Sequence, residues 1–385
     1  MIFLNVGYDN LDGKEFVQEQ KLKNIEFYRN VYNQYKKNKT LFIIGLVEFG
    51  CEWLIPHYLL PKIAKRNKDK NIVVVGWYGR EFLYKHLVDE FWELSESCMG
   101  LRETVRALHH HSKTIKKLEL YLKNFGEVLP SHFLGNMLME SRCLECGKAF
   151  GSRDSRQVCP VCLKDNIRRS FFSAPEKNKK HFLPLPKPSI ASLEWAEKNK
   201  LPRMVGIFAR SRKSYGRNLS QDFYVQLIHD LKEKGFNPVW MGEKQSVHKC
   251  PVDDILDLTL MPESRNLENV IAFLKHFEFT IQFWTASTRL SMAANCPYLL
   301  VESPDQLYGA GQEGLRLRLL NVANTKQKIV LCNYKKVCEN IAEFNSIIHE
   351  ATNELLRSDT SIKIGLVDDA DYVQNIIDRQ NNEWS

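Results

Sequence analysis

The residues best suited to chemistry lie between Val205 and Asn218, where an apolar run (Val205, Gly206, Ile207, Phe208, Ala209) empties into Arg210, Ser211, Arg212, Lys213, Ser214, Tyr215, Gly216 and Arg217. If the run is a strand buried on both faces of a parallel sheet, the cations surround the crevice beyond its carboxyl end, where such sheets bind ligands. An Arg side chain can hold a diphosphate through two parallel hydrogen bonds and Lys adds a point charge, so the composition suits a charged donor such as a nucleotide sugar. A solvated basic turn is the competing reading, and the charge run alone does not exclude it.

A second set is Cys143 and Cys146, followed after twelve intervening residues by Cys159 and Cys162. Two such pairs present four thiolates to one tetrahedral Zn²⁺, and Gly147 suits the tight turn of the first knuckle. Four thiolates close the coordination shell, so the expected ion is structural and leaves no open position for water. Arg142, Lys148, Arg153, Arg156, Lys164, Arg168 and Arg169 surround the ribbon and offer either a grip on a polyanion such as nucleic acid or a merely solvated face.

Carboxylates and hydroxyls complete the inventory. Glu48 and Glu52 flank Gly50 where a strand from Leu41 to Val47 ends, so Glu48 can serve as a base toward an acceptor hydroxyl, whereas Glu52 can equally cap the next helix. Thr285, Ser287 and Thr288 occupy a strand-to-helix turn, a place for a phosphate or for ordinary N-capping. Gly242 and Glu302 follow two further expected strands and face the same crevice, Glu302 as a partner for ribose or sugar hydroxyls or as a turn residue.

The elements that must position these groups alternate regularly. The chain has 385 residues, long enough for two cores, and its net charge of +8 favours polyanions without declaring a nucleic-acid-binding protein. Residues 1–8 read as an edge strand and 14–37 as a helix; then come strands 41–47 and 72–76, a helix from Glu81 to Phe91, and a helix over 101–124 interrupted by His109, His110 and His111. Pro-rich residues after Phe171 read as an extended linker. Beyond it lie strands 204–209, 236–241, 278–283, 297–302 and 328–332, with helices 222–234, 266–276, 287–294 and 337–357 and one more helix in the tail. The expected fold is α/β, two Rossmann-like doubly wound domains with an inserted four-Cys zinc ribbon: 1–139, ribbon 140–170, linker 171–203, second domain 204–365 and tail 366–385. No apolar stretch is long enough for a transmembrane segment and the N-terminus lacks signal-peptide features, which reads as cytoplasmic, with peripheral membrane association left open. No dinucleotide fingerprint, P-loop, zincin or hydrolase motif occurs.

Two α/β halves, a carboxylate loop in the first and an Arg loop in the second resemble a GT-B glycosyltransferase. More narrowly, the Val47–Glu52 loop followed by Val75–Tyr84 resembles a group of bacterial enzymes of surface-polysaccharide synthesis, with Cys51 where that group has Trp. The Phe208–Asn218 stretch and the Trp284–Thr288 turn are similar in placement to heptosyltransferase-like and fucosyltransferase-like donor domains; the resemblance covers about 41–92 and 204–305. It implies metal-independent transfer of a sugar from a nucleotide-diphosphate donor to a carbohydrate or lipid-linked acceptor, with inversion. On that basis Arg210, Arg212, Arg217, Gly242, Thr285, Ser287, Thr288 and Glu302 are the donor-side residues, Arg210 and Glu48 the catalytic pair, and Glu52 and Arg80 the acceptor side. The zinc ribbon departs from the family and keeps two alternatives open: a glycosyltransferase that modifies nucleic acid with the ribbon as docking arm, and a non-catalytic binding protein on the same scaffold.

Overall fold

The computed structural model describes residues 2–4, 39–46, 60–94, 113–129, 139–143, 149–151, 167–171, 185–211, 218–243, 247–283, 287–303, 326–357 and 361–382. The chain divides into two compact units, Met1–Pro186 and Lys187–Ser385.

The first unit holds a five-stranded parallel sheet in the order β1-β4-β3-β2-β5, with β1 Ile2–Leu4, β2 Leu41–Ile44, β3 Ile72–Gly76, β4 Glu90–Leu94 and β5 Glu127–Leu129. Strands β2 and β3 are apolar throughout and buried at every residue, as strands covered on both faces must be. Helices α1 Leu60–Arg66, α2 Glu81–Tyr84 and α3 Lys113–Leu122 accompany the sheet. Aromatic packing between Phe42 and Trp92 (centroids 5.0 Å) and between Tyr84 and Phe91 (5.1 Å) fills its core.

The helix expected from Glu81 to Phe91 stops at Tyr84, and Phe91 belongs to β4. Phe91 is buried in either conformation, so the apolar stripe could not separate them; insertion of β4 between β3 and β1 decides. The Asp89 carboxylate accepts the Ile72 N–H at 2.7 Å and fixes the entry into that pairing. The expected helix over 14–37, the first part of that over 101–124 and the histidine run lie outside the described residues. A small antiparallel sheet has the order β7-β6-β8, with β6 Met139–Cys143, β7 Ala149–Gly151 and β8 Ile167–Phe171.

The second unit is a seven-stranded sheet, order β11-β10-β9-β12-β13-β14-β15, in which every neighbouring pair is parallel. Its strands are β9 Met204–Phe208, β10 Asn237–Met241, β11 Leu256–Asp257, β12 Phe277–Phe283, β13 Tyr298–Glu302, β14 Gln327–Leu331 and β15 Ser361–Ile364. The helices are α4 Ile190–Asn199, α5 Gln221–Glu233, α6 Leu267–Leu274, α7 Ser287–Ala294, α8 Tyr334–Glu339, α9 Ile341–Arg357 and α10 Ala370–Asn382. Alternate residues of the central strands, Val205, Ile207, Phe279, Ile281 and Phe283 among them, join one core with Phe223, Leu227 and Leu231 of α5 and Phe344, Ile348 and Leu355 of α9. Ser220, Asn266 and Asn333 cap α5, α6 and α8 by accepting the N–H of Phe223, Glu268 and Lys335.

The second unit also holds elements that were not legible in the sequence, the short β11 among them. Within the stretch read as a linker, α4 forms and stacks Trp195 against Phe273 of α6 at 5.4 Å. The helix expected over 337–357 is two helices, α8 and α9, parted at Asn340. Strand β15, whose Lys363 bonds Glu350 and Glu354, gains its conformation from pairing with β14 and not from local composition. Among the described residues no helix is long and apolar enough to cross a membrane.

Candidate functional site

In the second sheet the chain passes from β9 outward to β10 and β11, then returns to place β12 on the other side of β9. That reversal is a topological switch point, and crevices outside the carboxyl ends of strands at such points are where open α/β sheets bind ligands. The two segments leaving the switch strands are those carrying Arg210 and Ser287.

Arg210 follows β9 and is buried, at 5 % exposure. Its backbone makes an antiparallel bridge with Val247, and the next residue, His248, donates its N–H to the Ala209 carbonyl at 3.0 Å. Trp240, near the end of β10, donates its indole N–H to the His248 carbonyl at 2.9 Å. The exit of β9 is thus clamped to the segment that follows β10. Gly242 makes the clamp possible: its φ of +127° is one that side chains rarely adopt, and a Cβ there would lie 2.3 Å from Val247 Cγ1.

Beneath the clamp, the fully buried Tyr224 ring meets Trp240 edge-on at 5.3 Å and lies 5.6 Å from the His248 ring. Burial pushes the Tyr224 phenol far above its ordinary range, and the neighbouring Arg210 charge offsets part of that rise. Burial likewise lowers the His248 pKa, against a smaller opposing effect of the Leu219 backbone, so the imidazole is neutral near pH 7. Tyr224 and His248 escaped the sequence reading because their proximity to Arg210 arises from long-range pairing.

Beyond β12, α7 opens with Ser287 and Thr288, both buried. On the same side of β12, Thr280 Oγ1 lies 3.0 Å from Ser291 Oγ, and Gln282 Nε2 donates to Ser291 Oγ at 3.4 Å. Gln282 is fully buried, and its Oε1 has no hydrogen-bond partner among the described residues. It sits opposite Phe208 in the β9–β12 register, one strand from the Arg210 exit.

Glu302, the last residue of β13, is fully buried. Its Oε1 accepts the Ser303 N–H at 2.9 Å and the Tyr334 hydroxyl at 3.5 Å, so this oxygen anchors the chain at the exit of β13. Glu302 also adds to the effect of burial in driving the Cys332 thiol well up.

In the first unit, Arg80 closes the turn after β3 and is itself buried. Gly79, in the left-handed region at φ +73°, donates its N–H to Glu93 Oε1. Glu93 is a buried carboxylate near the carboxyl end of β4 that sequence reasoning missed. Burial raises its pKa; hydrogen bonding from Gly79 opposes, Glu81 adds to the rise, and Arg80 counters it. Its signal was hidden because β4 reads as the end of a helix.

Arg212, Arg217, Thr285, Glu48, Glu52, Cys146, Cys159 and Cys162 lie outside the described residues. Glu48 follows β2, which is the switch strand of the first sheet, since β3 and β4 lie on one side of it and β5 on the other. Cys143 closes β6 opposite Ile167, the first residue of β8, so the chain enters β8 shortly after Cys162 at the sheet end where Cys143 stands. Among the described residues one group, His229, Asp230 and Glu233, brings metal-ligating atoms within 4.8 Å of one another. His229 and Glu233 are exposed i, i+4 neighbours of α5, spacing common on a solvated helix.

No protein-family model matches the chain, and no curated protein matches it. Among solved structures it is similar to a glycosyl transferase family 9 protein from Veillonella parvula, at 11% identity over 83% of this chain and 97% of that one, with a TM-score of 0.43. It is also similar to the ADP-heptose lipopolysaccharide heptosyltransferase II of E. coli, at 12% identity over 82% and 98%, with a TM-score of 0.48. A third is E. coli heptosyltransferase WaaC with ADP, at 10% identity over 82% and 99%, with a TM-score of 0.42. Similarity at this level does not extend to substrate or chemistry.

Proposed function

We propose that the chain is a GT-B-type glycosyltransferase whose second unit holds a nucleotide-diphosphate sugar and whose first unit takes a carbohydrate or lipid-linked acceptor. The observation that carries this is the switch point: the exit of β9, with Arg210, and the N-terminus of α7, with Ser287 and Thr288, leave neighbouring strands at the same carboxyl edge. A basic segment and a helix N-terminus are both suited to a diphosphate, the first by charge and the second by the positive end of the helix dipole. Arg212 and Arg217 belong to the same basic segment and Thr285 to the same turn. In this reading Arg210 works from a buried position within the clamp, where low dielectric strengthens its pull on a leaving diphosphate. Glu48 is the base that takes the acceptor proton for an inverting displacement, with Glu52 and Arg80 on the acceptor side.

The test is a thermal-shift panel of nucleotide sugars on the full chain, followed by turnover assays of Arg210→Ala and Glu48→Gln. Saturating donor is expected to raise the unfolding temperature, by mass action at about 2.7 kcal/mol for a hundredfold excess over Kd. Both variants are expected to lose turnover by at least about a hundredfold. No shift with any nucleotide sugar would remove the enzyme reading, and full turnover in both variants would remove the assigned roles.

The cysteine module is proposed as a structural Zn²⁺ ribbon, for which the place of Cys143 at the β6 end and the adjacent start of β8 are the supporting geometry. The basic residues that surround the ribbon in sequence, Arg142, Lys148, Arg153, Arg156, Lys164, Arg168 and Arg169, favour the second reading, a transferase with a nucleic-acid acceptor docked on the ribbon. Binding of single-stranded and duplex nucleic acid that weakens steeply with salt would support it; no binding at low salt would eliminate it.

A further inference from the structure

Gln282 presents a problem that the core of the second unit does not solve. Its neighbours on the same strand face of β12 and on α7 use hydroxyls to satisfy each other: Thr280 and Ser291 lie 3.0 Å apart, and Ser291 also receives the Gln282 amide N–H. The carbonyl oxygen of the same amide is buried without a partner among the described residues, in a side chain with no solvent exposure. An unmet buried acceptor carries the full penalty of its lost hydration, and an apolar side chain in its place would avoid that cost. The position is also the one that topology marks for a ligand, one strand from the Arg210 exit and on the side of the sheet covered by α7, whose N-terminal residues Ser287 and Thr288 are themselves buried.

We infer that Gln282 is a specificity-determining residue of the donor site, its Oε1 reserved for a hydroxyl of a nucleotide ligand whose phosphate lies at the N-terminus of α7. This rests on the donor-site reading above and adds a chemical requirement to it. A carbonyl oxygen cannot pair with a phosphate oxygen and repels it, so the group meeting Gln282 must donate. A phosphate-only ligand therefore satisfies α7 and leaves Gln282 unmet. A nucleotide satisfies both, through a ribose hydroxyl or through a hydroxyl of the transferred sugar. The amide is set for this: its Nε2 is tethered to Ser291, itself fully buried on α7, so little conformational freedom remains to be lost on binding.

The experiment measures binding to the full chain by calorimetry for wild type, Gln282→Leu and Gln282→Glu. The probes are ADP, GDP, UDP and CDP, the 2′-deoxy and 3′-deoxy forms of the tightest, its glucose and mannose conjugates, and inorganic pyrophosphate. Gln282→Leu removes the unmet oxygen at similar volume and is expected to unfold at or above the wild-type temperature, so lost binding will not reflect lost fold. Expected is a roughly 3–10-fold weakening of the nucleotide by Gln282→Leu, the size of one hydrogen bond. Removal of the responsible ribose hydroxyl should weaken wild type equally and the Leu variant no further, and pyrophosphate should bind both alike. If the sugar provides the hydroxyl, the loss appears only with the conjugates. Gln282→Glu keeps an acceptor but adds a charge that repels phosphate, so pyrophosphate should bind it more weakly than it binds Gln282→Leu. Wild-type binding of every probe by Gln282→Leu would overturn the inference while leaving the donor site standing; it would mean that the oxygen is met by buried water. If wild type binds no nucleotide at all, the donor-site reading fails and this inference fails with it.

Discussion

Replacement of Gly242 by Ala tests whether the clamp over Arg210 is built as described. Two independent penalties follow from the geometry. The φ of +127° lies where a residue with a Cβ is strained, at about 1–3 kcal/mol. The new methyl would also lie 2.3 Å from Val247 Cγ1, and overpacking of this kind adds about 1–3 kcal/mol, since the β-branched Val247 has few rotamers in which to retreat. Together they come to roughly 2–6 kcal/mol, which for a unit spanning Lys187–Ser385 corresponds to a fall in Tm of roughly 5–15 °C. The assay is thermal unfolding of Gly242→Ala, Val247→Ala and the double variant by circular dichroism. Val247→Ala in the Gly242→Ala background should recover the steric part and leave the backbone part, so the two changes are non-additive in the restoring direction. Because Val247 bridges Arg210, the single variant should also bind donor more weakly than the double variant does. A Tm within about 1 °C of wild type for Gly242→Ala, or no recovery in the double variant, would refute the description of the clamp.

Two carboxylates should respond to pH in opposite senses. Glu354 is held below its ordinary pKa, chiefly by its hydrogen bond from the buried Lys328 and also by Lys363, so its contribution is present above about pH 4.3 and is lost as pH falls through its folded value. Glu354→Gln is expected to lower stability at pH 7 by roughly 1–2 kcal/mol, discounted because Glu354 itself is partly exposed, and to differ little from wild type near pH 3 in urea titrations. Glu93 has a raised pKa from burial, so the stability associated with its neutral form is lost as pH rises through that value. The stability of Glu93→Gln relative to wild type should therefore rise between pH 4 and pH 8; a constant difference would show that burial does not govern this group. Removal of metal by a strong chelator should release one Zn²⁺ per chain and increase proteolysis within residues 140–170, leaving the parallel sheets intact by circular dichroism.

Much of the second unit could be read from the chain alone. Runs such as Val205–Ala209 and Tyr298–Val301 are apolar at every position, which only strands covered on both faces require, and the helices between them carry stripes at helical spacing. The expected helix 287–294 and the observed α7 have the same bounds. Local composition was also enough to set Arg210, Gly242, Ser287 and Glu302 at strand exits, because punctuation by charge, hydroxyl and glycine is a local property. Phe91 shows the limit: an apolar residue that suits a helix stripe or a strand equally is assigned by its partners, here β3 and β1.

Only the tertiary structure decided which strand exits are neighbours. Strand order is absent from periodicity, and it is the return of β12 to the side of β9 that joins the Arg210 segment to α7 and creates a switch point. The same pairing decided that Arg210 is buried above Tyr224 and clamped by Val247, which the sequence, open between a cation at the crevice and a solvated basic turn, could not tell. It also made Gln282 conspicuous. In sequence this residue is a polar interruption of an apolar strand; in the fold it is a buried acceptor whose oxygen has no partner among the described residues, one strand from the Arg210 exit, because burial and hydrogen-bond partners are set by elements far away along the chain.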